Sequence, residues 1–425
     1  MTSQFPAPAK AARPARPDLE GAALVAMMAF LMALQALAID SMLPALGQIA
    51  HDLDVTDPNR RQLVIGVFLM AAGFGSLVPG SLADRYGRRP VLLWCLGLYI
   101  VFSLACALVT SFDMLLVLRA CQAMGSGGLA VLPGAIIRDR LSGDRMARMM
   151  SMISMTFLLV PILAPTVGQF VLLFAGWRYI FVFLAFMAAI VAFWVNVRLP
   201  ETLSDDFREP TSVGTMLVNM WQALIHRGSV GYVIGGSLTF GAMVGYVTSS
   251  QQLVGEHFGA GPLFPVIFGG SAVLMACASF SNSRIVERFG ARRVSHTALL
   301  TFIGVSAIQI MFAFSPHETL WQFMPVMAIN MALIGFMGAN FNSISLQPFA
   351  RTAGAASSVQ AFMRMVIGSL VGIVIGQAYD GTARPLAIAL FLTGMASLSL
   401  VLFSERGKLF RRLHPPGTPR PIADH

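Results

Sequence analysis

Charged side chains are scarce in this chain: Asp, Glu, Lys and Arg make up 12% of its 425 residues, about half the share of a soluble domain. Water cannot be the solvent for most of such a surface, which excludes a soluble enzyme. Cysteine is scarce too. Cys95, Cys106, Cys121 and Cys277 stand in apolar stretches without C-x-x-C spacing, so a disulfide framework or thiol redox motif is excluded. They are expected to be small packing residues. Also missing are a Walker loop, an H-E-x-x-H pair and a nucleophile elbow, and the histidines are scattered at loops and ends. No metal site, no cofactor and no enzymatic activity is expected, so any energy must come from a gradient.

What the chain has instead is apolar length. Hydrophobic residues make up 56% of it, in runs such as Leu24 to Leu46, Leu63 to Leu82, Val91 to Val109, Phe157 to Phe174 and Ala387 to Phe403. Each is long enough to cross a hydrocarbon core of about 30 Å as a helix. Segments are expected at 21–46, 61–83, 91–110, 113–138, 147–173 and 177–199, then 229–253, 262–283, 294–314, 320–347, 355–379 and 384–405. The fold class is therefore an all-α polytopic membrane protein with about twelve transmembrane helices.

The net charge of +9 would suit a nucleic-acid partner, but its placement argues otherwise. With a cytoplasmic N-terminus, only Arg60, Arg61, Arg178 and Arg384 fall outside and only Arg119 and Arg364 within the membrane; every other Lys and Arg is cytoplasmic. That bias is the positive-inside rule, a statement about topology. Residues 1–20, with Lys10, Arg13 and Arg16, read as a cytoplasmic tail before a retained helix. The expected partners are a lipid bilayer, a small molecule and protons, the expected location is a cell inner membrane with both termini cytoplasmic, and a monomer is expected.

The one long polar stretch inside the chain divides it into an N-terminal bundle (21–200), a cytoplasmic linker (201–228), a C-terminal bundle (229–405) and a cytoplasmic tail (406–425). A surface helix is a further expectation at 213–225. The halves echo one another: GSLADRYGRRPVLL after the second segment matches SRIVERFGARRVS after the eighth, setting Asp84 against Glu287 at an offset of 203 residues. Gly176-Trp177-Arg178 matches Gly381-Thr382-Ala383-Arg384 at a similar offset. Such a repeat in a membrane protein suggests two bundles moving around a central site.

The first of these motifs resembles the signature loop of the major facilitator superfamily in Gly80, Leu82, Asp84, Arg85, Gly87, Arg88 and Arg89. Further stretches, IDSMLPALGQIAHDL, IIRDRLSGDRMARMMS, PILAPTVGQ, GWRYIFVFLA, LPETL and QPFARTAGAASS, are similar to the Bcr/CflA drug-resistance subfamily of drug:proton antiporters. The resemblance covers about residues 20 to 405 and implies two pseudo-symmetric six-helix bundles and drug efflux.

Asp40 is the sole carboxylate deep in the first segment, with Pro44 one turn beyond; a carboxylate there is costly to ionise. It is either a residue of the outer water boundary or, as the resemblance implies, the proton and substrate switch. Met32 stands where some relatives carry a second carboxylate, with Gln35 nearby. Arg119 reaches a similar depth from the fourth segment. It either pairs with Asp40 as a coupling element, the role its match to the family's arginine motif implies, or fixes its helix to neighbouring carbonyls. Arg364, near the midplane of the eleventh segment, either faces the cavity and favours neutral or anionic cargo, or binds a packed neighbour. Gln35, Gln122, Asn330, Asn340, Asn342, Gln360 and Gln377 are further polar candidates for the cavity lining.

Pro161, Pro165 and Gly168 remove hydrogen bonds and bulk from the fifth segment, in a partial match to the superfamily's antiporter motif. A cytoplasmic gate is expected from Gly80, Asp84, Arg85, Gly87, Arg88, Arg89 and Arg138, with Asp84 accepting from the start of the eleventh segment near Gly354 or pairing with Arg138. The functional expectation is a proton-coupled exporter of small amphipathic drugs of the phenicol or bicyclomycin type. The alternatives are a dedicated metabolite exporter with the same coupling and a non-transporting membrane sensor.

Overall fold

A bilayer core offers no hydrogen-bond partner to a peptide group, so a chain that crosses it must satisfy its backbone within helices. The computed structural model describes residues 21–140, 143–203, 221, 225–349 and 353–410, and its regular structure among them is entirely helical. The tail at 1–20, most of the linker and of the surface helix expected at 213–225, and residues 411–425 lie outside the described residues.

The long helices are α1 (Ala22–Asp52, interrupted after Asp40), α2 (Arg60–Tyr86), α3 (Arg88–Ala107), α4 (Phe112–Arg140), α5 (Gly143–Phe174) and α6 (Arg178–Arg198). They continue as α7 (Arg227–His257), α8 (Phe264–Phe289), α9 (Ala291–Ala313), α10 (Leu320–Leu346), α11 (Ala353–Gln377) and α12 (Arg384–Ser404). Eleven are long and apolar enough to cross a membrane, and α5 contributes the apolar stretch Val160–Phe174. Large apolar side chains cover the outside: Leu108 and Trp321 are 81% and 83% exposed, which is tolerable where lipid is the solvent. The start of α1 and the end of α12 share one face of the molecule, termed the terminal face; the opposite face is termed distal.

The packing repeats with a period of six helices. In the first half α3 packs on α4 and α6, α2 on α4, and α1 on α4, α5 and α6. In the second half α9 packs on α10 and α12, α8 on α10, and α7 on α10, α11 and α12. The two bundles meet where α2 runs along α11 and α5 along α8. Close approach is bought with small residues: Gly241 and Gly245 of α7 face Gly368 and Gly372 of α11.

The paired motifs are the same device used twice. The sequence reading placed Asp84 and Arg85 in a loop; they are instead the last turn of α2, and α3 begins at Arg88. Gly87 alone reverses the chain, at φ 102° and ψ 152°, and Gly290 does so between α8 and α9 at φ 86° and ψ 147°. A side chain opposes that left-handed geometry, which accounts for glycine at both positions. The second echo repeats a contact: Arg178 Nη2 donates to the Val109 carbonyl at 3.0 Å, and Arg384 Nε donates to the Ala313 carbonyl at 3.2 Å. Each arginine thus covers the carboxyl end of the third helix of its bundle, where the helix dipole favours a cation.

Candidate functional site: a cavity between the bundles

Pro44 has no N–H to give to the carbonyl of Asp40 four residues earlier, so the α-helix cannot continue through this point. Its regular part stops at Asp40, a 3-10 turn runs over Leu43–Ala45, and helix resumes at Leu46. α5 fits against this break. A side chain on Gly168 would run into the Ser41 carbonyl and the Pro44 ring, so the glycine is there to let α5 approach the interrupted segment. Pro165 is buried nearby, and Pro161 lines the cavity that opens beside them.

That cavity, of about 350 Å³, lies between α1, α2 and α5 on one side and α7, α8, α10 and α11 on the other. Its walls are mostly apolar and include Met243, Met275, Met331, Met365, Phe240 and Phe268, flexible and polarisable surfaces that repack around varied shapes. Polar groups are few: Gln35 and Asp40 from α1, Tyr246 and Ser271, and Arg364 from α11. The Asp40 side chain is nearly buried, at 7% exposure, and no hydrogen bond or ion pair to its carboxylate is formed among the described residues.

Arg119 is fully buried, yet the expected ion pair with Asp40 is not formed. Its guanidinium donates to the Ala38 carbonyl at 2.9 Å, to the Val64 carbonyl at 3.3 Å and to Gln122 Oε1 at 2.7 Å, and it lies 4.2 Å from the centre of the Phe68 ring. Gln122 passes the network on to Ser103 at 2.6 Å. Arg119 therefore clamps α4 to α1 and α2 through carbonyls, one of which lies two residues before Asp40. Neither Arg119 nor Gln122 lines the cavity.

The distal face is closed by contacts that sequence reading did not single out as a gate. Arg61 of α2 donates to Glu256 of α7 at 2.6 Å, Gln62 bonds Gln252, and the Asn59 side chain donates to the carbonyls of Gln377 and Tyr379, with Gln377 Nε2 returning a bond to the Asn59 carbonyl at 2.8 Å. Burial, with Glu256 adding to it and Arg61 opposing, pushes the Tyr379 phenol up to about 12, so it stays neutral in this cluster. Among the described residues, every hydrogen bond and ion pair between the bundles lies at this distal end. One signal was available: Arg60 and Arg61 break the charge bias of the loops, and Glu256 waits at the end of the helix opposite.

At the terminal face the motif residues are tied within their own bundle. Arg88 pairs with Asp84 and with Asp139, the latter at 2.9 Å. Glu201 of the LPETL stretch accepts the backbone N–H groups of Arg88 and Arg89 at 2.8 and 3.2 Å, satisfying donors that the start of α3 leaves free. Arg89 reaches Asn196 at 2.6 Å, Arg85 lies over the Tyr86 ring, and no side chain approaches the position a Cβ of Gly80 would take. The partner expected for Asp84 was Arg138; Asp84 pairs instead with Arg88, and α4 meets that arginine with Asp139, since one residue turns a helix by about 100°. Glu405 plays the matching part in the second bundle, accepting from Arg292 and from the Tyr232 hydroxyl, each at 2.7 Å.

Comparison with known proteins fits this architecture. The family model for the Major Facilitator Superfamily matches residues 25–373. The chain belongs to that superfamily.

A Major Facilitator Superfamily protein of Bacillus subtilis (strain 168), described as the uncharacterized MFS-type transporter YdgK, is 28% identical over 391 residues, covering 90% of this chain and 95% of that protein. A bicyclomycin resistance protein homolog of Haemophilus influenzae is 28% identical over 373 residues, covering 86% and 90%, in agreement with the Bcr/CflA resemblance of the motifs. In fold, the crystal structure of a D-xylose-proton symporter superposes with a TM-score of 0.69 at 14% identity, covering 91% of this chain and 98% of that one.

Within this superfamily fold the sequence candidates separate into groups. Gln35, Asp40 and Arg364 meet in the central cavity. Gln360 and Asn342, again with Arg364, line a smaller cavity inside the second bundle. Asn340 was expected at the cavity, but it is 3% exposed and donates to Asn282 at 2.8 Å, stitching α10 to α8. Asn330 accepts from Ser306 at 3.3 Å, and Gln377 belongs to the distal closure.

Proposed function

We propose that this transporter exports small amphipathic drugs in exchange for protons, by alternating exposure of the central cavity to the two sides of a cell inner membrane. One observation carries the reading: a single carboxylate, Asp40, stands at a helix break without an ion-pair partner among the described residues, facing a largely apolar cavity between two bundles. An ionised acid in such surroundings must be matched by a proton or by a ligand group, so protonation and cargo binding compete for one site. Arg119 acts through position, holding the backbone of α1 next to the acid.

The positive-inside bias supports a cytoplasmic terminal face and both termini in the cytoplasm. On that assignment the distal closure is the outer gate, the conformation described is inward-facing, and the bundles at 21–200 and 229–405 are the units that rock about the cavity. A single copy carries the complete cavity, and export of drugs is supported by the bicyclomycin resistance relative.

Asp40→Asn tests the coupling. In proteoliposomes with an imposed proton gradient, the native chain should accumulate a neutral amphipathic drug such as chloramphenicol and release protons on binding it. The asparagine form should bind the drug but neither concentrate it nor release protons. Full uphill accumulation by the asparagine form would remove Asp40 from the coupling role.

A further inference from the structure

A second cavity, of about 210 Å³, lies inside the C-terminal bundle between α7, α10 and α11. It shares two wall residues with the central cavity, Phe240 and Arg364, so the two are compartments on either side of one arginine. Their chemistry differs. The central compartment is walled mainly by apolar side chains, whereas the second adds to Val233, Ile334 and Phe341 a set of hydroxyl and amide groups, including Ser237, Thr239, Asn342, Ser345 and Gln360.

Which hydrogen-bonding sense this second compartment offers follows from where its protons already go. The Ser237 hydroxyl donates to the Val233 carbonyl at 2.7 Å, Thr239 to Gly236 at 3.1 Å, Ser345 to Asn342 at 2.9 Å, and the Tyr232 hydroxyl to Glu405. Those donors are spent on the protein. Two remain open. Gln360 is 8% exposed and its Nε2 has no partner, a costly state for a buried donor. The Arg364 guanidinium lies 5.6 Å from the centre of the Phe240 ring, and no hydrogen bond or ion pair to it is formed among the described residues. Both side chains, on successive turns of α11, line one cavity; Arg364 is exposed and the Gln360 Nε2 is buried without a partner, a donor pair with no acceptor among the described residues.

We infer that the second compartment receives the carboxylate of an amphipathic acid, bound by Arg364 and Gln360, while the apolar body of the same molecule fills the Met- and Phe-lined compartment beside Asp40. A guanidinium holds a carboxylate through two parallel hydrogen bonds, and the division of polar from apolar wall sets the length and polarity of the cargo. A cation would find no acceptor charge in the second compartment. This inference deepens the export reading and rests on it for the direction of transport, but binding tests it independently.

The probe is a matched pair, radiolabelled 1-naphthaleneacetate and 1-naphthaleneacetamide, which share their apolar body and differ in the charge of the head. Binding to the detergent-purified full chain should favour the acid by about tenfold or more, the usual worth of a hydrogen bond to a charged group. Arg364→Gln should remove the preference by weakening the acid alone, Arg364→Lys should restore part of it, and Gln360→Leu should weaken the acid several-fold. Size-exclusion profiles of each variant establish that it is folded. Equal binding of acid and amide to the native chain, saturable binding of neither, or a folded Arg364→Gln that keeps the preference overturns the inference. Failure of proton-driven drug accumulation with the acid preference intact would instead strike the export reading and leave this site standing.

Discussion

Two arginines lie within the membrane, one in each bundle, and the fold treats them in opposite ways. Arg119 is sealed from every cavity, with its guanidinium spent on two carbonyls, an amide oxygen and an aromatic face. Arg364 lines both cavities and is bonded to no acceptor among the described residues. A buried cation whose three nitrogens each donate to a protein acceptor is a structural clamp. One whose donors open into a cavity is poised for a ligand. Depth in the membrane does not tell them apart; the acceptors brought by other helices do.

The comparison breaks most visibly at Arg119. Arg119→Met strands the Ala38 and Val64 carbonyls and the Gln122 amide, losing hydrogen bonds to a charged group worth about 1.5–3 kcal/mol each, and should yield little monodisperse protein by fluorescence-detected size exclusion. Arg364→Met should leave the profile intact and the thermal midpoint changed by the equivalent of about 1 kcal/mol or less. Equal losses in the two variants would erase the distinction. Arg119→Lys sharpens it: one ammonium cannot span the fork of three acceptors, so stability should be intermediate between the native chain and the methionine variant.

A smaller effect is expected at the distal closure. Glu256 is half exposed, so its pair with Arg61 is worth about 0.5–1 kcal/mol after screening. Glu256→Gln should shift the inward–outward equilibrium about two- to fivefold toward distal opening, read as a longer distance component between spin labels at positions 57 and 317. The smallest effect belongs to Glu318. Burial holds its carboxyl above the usual carboxylate range, with Arg384 opposing, so the fold disfavours the ionised form. Stability is therefore lost as pH rises above about 4.5, the ordinary value, toward the raised one. Glu318→Gln should flatten that decline and leave the thermal midpoint at pH 7 unchanged or slightly higher.

Much of the fold was legible because lipid is an undemanding solvent. Apolar length locates crossing helices without knowledge of their neighbours, and the offset between Asp84 and Glu287 announced a repeat that reappears as two glycine reversals of the same geometry. Asp40 was legible because an acid in an apolar run is an exception. Gly168 was legible as a missing side chain, but not as the space into which the Ser41 carbonyl fits. The partners of Arg119 were not legible at all, since they are backbone carbonyls and every residue has one. Arg138 and Asp139 are adjacent in sequence, and only the rotation of α4 decides which of them meets Arg88.

By itself the sequence determined the solvent, the number of crossings, the kinship of the two halves and the presence of one acid and two arginines in apolar surroundings. These follow from composition and spacing, which act locally along the chain. Only the tertiary structure decided which charge is satisfied and which is left open, which face is closed and where the cavities lie. Those outcomes depend on acceptors and walls contributed by helices far apart in sequence, whose rotation and depth are set by packing.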